Sequence, residues 1–259
     1  MNIGRVGTSP GEIPTVDILG ISIHRLTRAE VLDIVEQRYR SGVPTWIVTA
    51  NAELVMGAKE DGQIATVLHK ADLRLADGSG IVWAARRLGD HLPARLPGVE
   101  IAEELVAWAA SAGLTLYLLG SQPGVAEEAT TKLQQKYRGL EVVGSRHGYF
   151  DTTQETEILA EIRDVKPDIL LVALGAPRQE FWLAQHFENL GVSIAVGVGG
   201  SLDVWAGRVK RAPAWMGDRG LEWLYRLIKE PRRAKRMLAL PRFVFWVLVN
   251  RVTGRSWRK

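Results

Sequence analysis

Five segments of this chain set polar or glycine residues directly after apolar runs, the pattern of side chains held at strand ends. Trp46-Ile-Val-Thr-Ala-Asn51 closes with Thr49 and Asn51. Asn51 there either caps a following helix or meets a ligand. Leu73-Arg-Leu-Ala-Asp-Gly-Ser-Gly80 carries Asp77 ahead of a glycine-rich turn. That carboxylate either caps the next helix or serves as a general base. Leu118-Leu-Gly-Ser-Gln-Pro-Gly124 reads as a strand, a glycine loop and a helix start. Such a loop is either a simple tight turn or a set of N–H groups open to phosphate. Leu174-Gly-Ala-Pro-Arg-Gln-Glu180 offers Arg178, Gln179 and Glu180 where a turn made only for packing needs no polar side chain. Val196-Gly-Val-Gly-Gly-Ser-Leu-Asp203 is a second glycine cluster. Gly199 within it permits close backbone approach, and Asp203 either caps a helix or accepts from a ribose hydroxyl.

Other chemistries lose support. The chain has no cysteine, which excludes disulfides, thiolate nucleophiles and cysteine-ligated metals. Its five histidines lack metal-ligand spacing, and there is no Gly-x-Ser-x-Gly elbow for a serine hydrolase. A P-loop and a full dinucleotide fingerprint with its trailing acid are also missing, which counts against an NAD-dependent oxidoreductase.

The elements that must carry these segments follow from hydrophobic periodicity. Residues 16–23 read as a strand or short hairpin. Thr27-Arg-Ala-Glu30 matches a capping box, which opens a helix to about Arg40 with Val31, Ile34 and Val35 on one face. Apolar runs at 45–49, 114–119, 142–145, 169–174 and 193–198 then alternate with helical stretches near 53–70, 79–89, 99–112, 124–137, 153–164 and 178–190. Runs without polar alternation imply strands covered on both faces. The expected fold is α/β, a Rossmann-like layered domain with a mostly parallel sheet over residues 15–207, preceded by a flexible segment 1–14.

The composition changes near Gly207. Residues 208–259 hold 15 of the 33 Lys and Arg but 3 of the 29 Asp and Glu, a net charge of +12 that leaves −8 on residues 1–207. Four of the nine Trp lie in the same tail. It reads as a basic helical appendage, with one helical pattern over 220–236 interrupted by Pro231 and an amphipathic stretch over 243–252 after Pro241. This asymmetry points to a polyanion or an anionic membrane surface. The longest apolar run, 243–249, is too short to cross a bilayer. With no secretory pattern at the N-terminus, a cytoplasmic location is expected.

The ordered set Thr49-Ala-Asn51, Ala76-Asp-Gly-Ser-Gly-Ile-Val82, Arg95-Leu-Pro-Gly98, Leu174 to Glu180, Gly197-Val-Gly-Gly-Ser-Leu-Asp203, Arg211-Ala-Pro213, Gly220-Leu-Glu-Trp-Leu-Tyr-Arg226 and Glu230-Pro-Arg232 resembles the WecG/TagA/CpsF family of bacterial glycosyltransferases. The resemblance spans about residues 16–236. It implies an inverting, metal-independent transfer of N-acetylmannosamine from UDP to N-acetylglucosamine on undecaprenyl diphosphate, an early step toward wall teichoic acid or a related surface glycan. It also implies residue roles. Asp77 would be the general base, and Thr49, Asn51, Arg95 and Gln179 would line the sugar and diphosphate pocket. Gly199 and Asp203 would lie near the nucleoside, with Arg226, Arg233 and Arg236 of the appendage over the active site. A homodimer and docking of the tail on the inner face of the cell membrane are further expectations, and no cofactor is implied. A relative with another donor, UDP-N-acetylmannosaminuronic acid or UDP-glucose, shares the same motifs. An α/β nucleotide-binding module with a nucleic-acid-binding tail is the alternative from another class; steep salt dependence on oligonucleotides would mark it, and no nucleic-acid partner is expected.

Overall fold

The computed structural model describes residues 13–213, 215–216, 222–229 and 237–253. Two short strands, β1 (Thr15–Ile18) and β2 (Ile21–His24), form an antiparallel hairpin closed by Leu19 and Gly20, both at positive φ. The helix α1 (Arg28–Arg40) follows with the expected capping box: the Thr27 side chain accepts from the Glu30 N–H, and the Glu30 carboxylate accepts from the Thr27 N–H. The α/β alternation then runs β3 (Thr45–Ala50), α2 (Ala52–Glu60), α3 (Gly62–Lys70), β4 (Leu73–Ala76), α4 (Ser79–Arg87), α5 (Gly98–Ala112), β5 (Thr115–Gly120), α6 (Val125–Lys136), β6 (Glu141–Arg146), α7 (Thr152–Val165), β7 (Ile169–Ala173), α8 (Arg178–His186), β8 (Ile194–Gly197) and α9 (Ser201–Trp205). Two further helices, α10 (Glu222–Lys229) and α11 (Ala239–Thr253), lie in the C-terminal region.

Six strands form one parallel sheet in the order β4-β3-β8-β7-β5-β6. Side chains alternate across a strand, so the inner strands each feed two cores. Trp46, Val48, Tyr117, Leu119, Leu170, Val172 and Ala195 pack on one face beneath α2, α3, α4, α7 and α8. Ile47, Leu116, Leu118, Ile169, Leu171, Ile194 and Val196 pack on the other against α1, α5, α6 and α9. Burial on both faces explains why these strands read as unbroken apolar runs.

Three sequence expectations need correction. The stretch 53–70 is two helices, because the Asp61 side chain accepts from the Gln63 N–H and starts a new helix while its backbone ends the old one. Residues 73–76 form the edge strand β4, implied by the strand-end reading of Asp77 but not counted among the apolar runs; four residues with Arg74 in the middle leave little apolar signal. The last helix begins before Pro241 rather than after it, since a proline in a first turn has no intrahelical N–H bond to lose. That helix packs onto the layered domain. Its Phe243 and Val247 are fully buried in the core shared with α2 and α4. The segment 1–12, and 230–236 within the expected helical pattern, lie outside the described residues.

The hairpin is tied to the sheet edge by His24, whose Nδ1 accepts from the Arg74 N–H at 2.9 Å. Burial, and then the charge of Arg74, push this imidazole down to about 4. The unfolded chain therefore takes up a proton near pH 6.5 that the folded one refuses. Stability is complete above pH 6.5 and declines as pH falls toward 4, by about 3 kcal/mol in total. His24→Gln should flatten that part of a stability–pH curve measured by urea unfolding; an unchanged slope would show that other groups set it.

Candidate functional site

The carboxyl ends of the central strands open into one cleft of about 620 Å³. In open α/β sheets this is where ligands bind. Each of the five segments singled out in the sequence reaches its wall: Thr49 near the end of β3 and Asn51 after it, Asp77 after β4, Ser121 and Gln122 after β5, Leu174 and Arg178 to Glu180 after β7, and Val198 to Ser201 with Asp203 after β8.

Asp77 follows β4 directly, and its N–H donates to the Ala50 carbonyl at 2.9 Å, which carries the strand pairing one residue further. The N-cap of α4 is Gly78 at φ +90°, so Asp77 stands one residue before the cap position. For Asn51 capping holds, because its Oδ1 accepts from the Leu54 N–H at 2.9 Å while the residue lines the cleft. Thr49 packs against the start of α5, where a Cβ on Gly98 would come within 2.7 Å of its Oγ1. That glycine lets the helix approach the threonine.

The turn after β5 is the most constrained backbone of the site. Gly120 has φ +140°, and a Cβ there would fall 2.3 Å from the Ala173 carbonyl oxygen. Ser121 follows at φ +58° and donates its N–H to the same oxygen at 3.0 Å. A non-glycine residue in the left-handed region costs of order 1–3 kcal/mol and gathers at functional sites. Here it aims the Ser121 hydroxyl across the cleft, where it donates to Asp203 Oδ2 at 2.8 Å. Asp203 stands third in α9, whose N-cap is Gly200, so it is not the cap either.

After β7 a cis Ala176–Pro177 peptide leads into α8. Gln179 is buried; its Oε1 accepts from the Gly199 N–H at 3.0 Å and its Nε2 donates to Glu180 Oε1 at 2.8 Å. Burial pushes the Glu180 carboxyl up, opposed in part by the Gln179 amide. Arg178 donates to the Gly148 carbonyl at 2.9 Å and lies over the Phe150 ring.

Arg95 precedes Pro97 and Gly98 of the cleft wall without lining it itself. Its guanidinium is 3.9 Å from Glu100, which also holds Arg28 and Arg211. Burial raises the Glu100 carboxyl, but the hydrogen bond from Arg211 and the charges of Arg28 and Arg211 outweigh it and hold it below the usual range. Arg226 belongs to α10, but its side chain, like Arg233 and Arg236, lies outside the described residues. The segment after α9 instead brings Lys210 and Arg211 to the wall, and α10 brings Tyr225. Arg211 and Tyr225 stand in quoted family segments but were given no role in the sequence, and Lys210 and Tyr149 at the mouth were not recognised there. A lysine or tyrosine on a connecting segment carries no periodic signal; only the chain path makes it part of a site. Among the described residues no group of three His, Asp or Glu is arranged to hold a metal ion.

A sequence model of the Glycosyl transferase WecG/TagA/CpsF family matches residues 16–256. The chain is similar to a Staphylococcus aureus (strain MW2) protein named N-acetylglucosaminyldiphosphoundecaprenol N-acetyl-beta-D-mannosaminyltransferase. The two are 34% identical over 232 residues, 89% of this chain and 91% of that one. Proteins of the same name from strains NCTC 8325 / PS 47 and MRSA252 match to the same extent.

Proposed function

The chain belongs to the WecG/TagA/CpsF glycosyl transferase family, and from that premise we propose that it transfers N-acetylmannosamine from UDP to N-acetylglucosamine carried on undecaprenyl diphosphate. The observation that carries the reading is Asp77, a carboxylate that follows β4 directly and stands on the wall of the strand-end cleft. Asp77 takes the proton of the acceptor 4-hydroxyl as that oxygen bonds to the anomeric carbon. The bond from that carbon to the β-phosphate oxygen breaks, and UDP leaves with the electron pair on the opposite face, giving inversion.

The leaving diphosphate gains negative charge, and a preorganised donor aimed at such charge contributes roughly 3 kcal/mol. Lys210 and Arg211 line the cleft and supply cations within the described residues. Arg226, Arg233 and Arg236 are proposed to add to them. Asp203, held by Ser121, is proposed for the ribose hydroxyls, and Gly199 for close approach of the nucleotide. Thr49, Asn51 and Gln179 are proposed for the sugar. Arg95 is proposed to act on the diphosphate. No cofactor takes part in this scheme, and metal independence is part of the proposal.

The lipid acceptor requires work at a membrane surface. Helix α11 turns Val244, Phe245, Leu248 and Val252 to solvent beside exposed Arg242 and Arg251. An apolar face flanked by basic residues suits shallow insertion into an anionic leaflet, which supports peripheral association with the inner face of the cell membrane. Among the described residues no helix is long and apolar enough to cross a membrane.

The test is a transfer assay with UDP-N-acetylmannosamine and a lipid-diphosphate N-acetylglucosamine analogue in EDTA, following UDP and disaccharide. Product in EDTA is expected. Product only with added divalent metal would overturn metal independence, and product only with another UDP-sugar would overturn the donor.

A further inference from the structure

We propose that Glu180 is a positioning residue of the donor site: it accepts from the Gln179 amide and thereby fixes the glycine loop after β8 in the conformation that receives the nucleotide. This rests on the donor reading above and extends it to a residue with no role in that scheme. The geometry is a chain of three contacts. The Gly199 N–H points at Gln179 Oε1, at 3.0 Å. With its oxygen so engaged, the Gln179 amide must present its NH2 the other way, and Glu180 Oε1 receives it at 2.8 Å. Gly197 completes the arrangement from the opposite side. A Cβ there would lie 2.6 Å from Gln179 Nε2 and 3.2 Å from its Cγ, so the missing side chain is the space the amide occupies.

Glu180 is poorly explained as packing. It is 3% exposed, and its Oε2 has no hydrogen-bond partner among the described residues. A leucine would fill the same volume without an unsatisfied buried oxygen, which is a destabilising feature. Burial pushes the carboxyl up, opposed in part by the hydrogen bond from the Gln179 amide. Without that acceptor the Gln179 amide loses the partner that sets its orientation. The Gly199 N–H, in a residue at φ +52°, then loses its fixed acceptor at the cleft wall.

The experiment compares Glu180→Leu with Glu180→Gln in the full chain. Amide exchange at Gly199 is read by NMR, and UDP affinity by calorimetry. Glutamine keeps an oxygen for Gln179; leucine does not. Leucine should speed Gly199 exchange by about tenfold and weaken UDP by about the same factor, a loss on the scale of one hydrogen bond. Glutamine should restore both to within about threefold of wild type. Should the leucine variant fail to fold, Gly197→Ala pushes Gln179 away from the other side and should give the same two changes. Leucine with wild-type protection at Gly199 overturns the proposal, as does lost protection with unchanged UDP affinity, or glutamine as impaired as leucine. A wild-type protein that does not bind UDP would overturn the donor reading instead, and Gly199 exchange would still decide whether Glu180 holds the loop.

Discussion

Asp77→Asn is expected to leave UDP binding intact and to lower turnover by about 10²–10⁴-fold, the range that a positioned proton acceptor contributes. Asparagine has the shape of aspartate but cannot take a proton. The substitution therefore separates the chemical step from the architecture. The fold should survive it: Asp77 is half-buried, the strand pairing to Ala50 runs through its backbone N–H, and α4 takes Gly78 as its N-cap. A loss of the fold would mean that the carboxylate has a structural role. Near-wild-type turnover would mean that another group takes the proton. Asn51 offers a contrast on the next strand. Its Oδ1 caps α2, so Asn51→Ala should cost about 1 kcal/mol of stability through the lost cap, and its kinetic effect is entangled with that loss.

Much of this site was legible before the fold was known, for a definable reason. Parallel strands buried on both faces are unbroken apolar runs, and a polar residue that ends such a run stands at the edge of the sheet where its neighbours' ends also lie. Thr49, Asp77, Gln179 and Asp203 were found in this way, and the sheet order brings them to one cleft. The signal failed where it is short or diluted. Strand β4 has four residues, one of them Arg74. The break between α2 and α3 rests on the Asp61-Gly62 pair, a capping signal hidden inside a continuous helical pattern. Whether Asn51, Asp77 and Asp203 were caps could not be decided from sequence, because a cap and a ligand contact use the same residue types at the same place. Geometry decided each differently: Asn51 caps, while Gly78 and Gly200 take that position for the other two helices. The burial of Glu180 was equally unreadable, since a glutamate in the first turn of a helix is ordinarily a solvated complement to the dipole.

Deleting residues after Gly207 is expected to have two effects with separate causes. The first is on stability. Phe243 and Val247 are fully buried against α2 and α4, and burying such side chains stabilises by about 1.5–3 kcal/mol each. Their loss should lower Tm on the order of 10 °C in a domain of this size. The second is on catalysis. The deletion removes Lys210, Arg211 and Tyr225 from the cleft wall, and loss of a preorganised charge donor costs about 10²–10³-fold in turnover. Point variants can separate the two effects. Phe243→Ala with Val247→Ala should reproduce the fall in Tm while transfer to a soluble acceptor analogue continues below the new midpoint. Lys210→Ala with Arg211→Ala should reproduce the loss of transfer with little change in Tm, because the Arg211–Glu100 pair is partly exposed and such pairs contribute about 0–1 kcal/mol. If the full deletion transferred sugar at the wild-type rate, the basic C-terminal region would have no part in stabilising the leaving group. If the Lys210 and Arg211 pair proved silent while the deletion was inactive, the cations that matter would lie further along the chain, where Arg226, Arg233 and Arg236 stand.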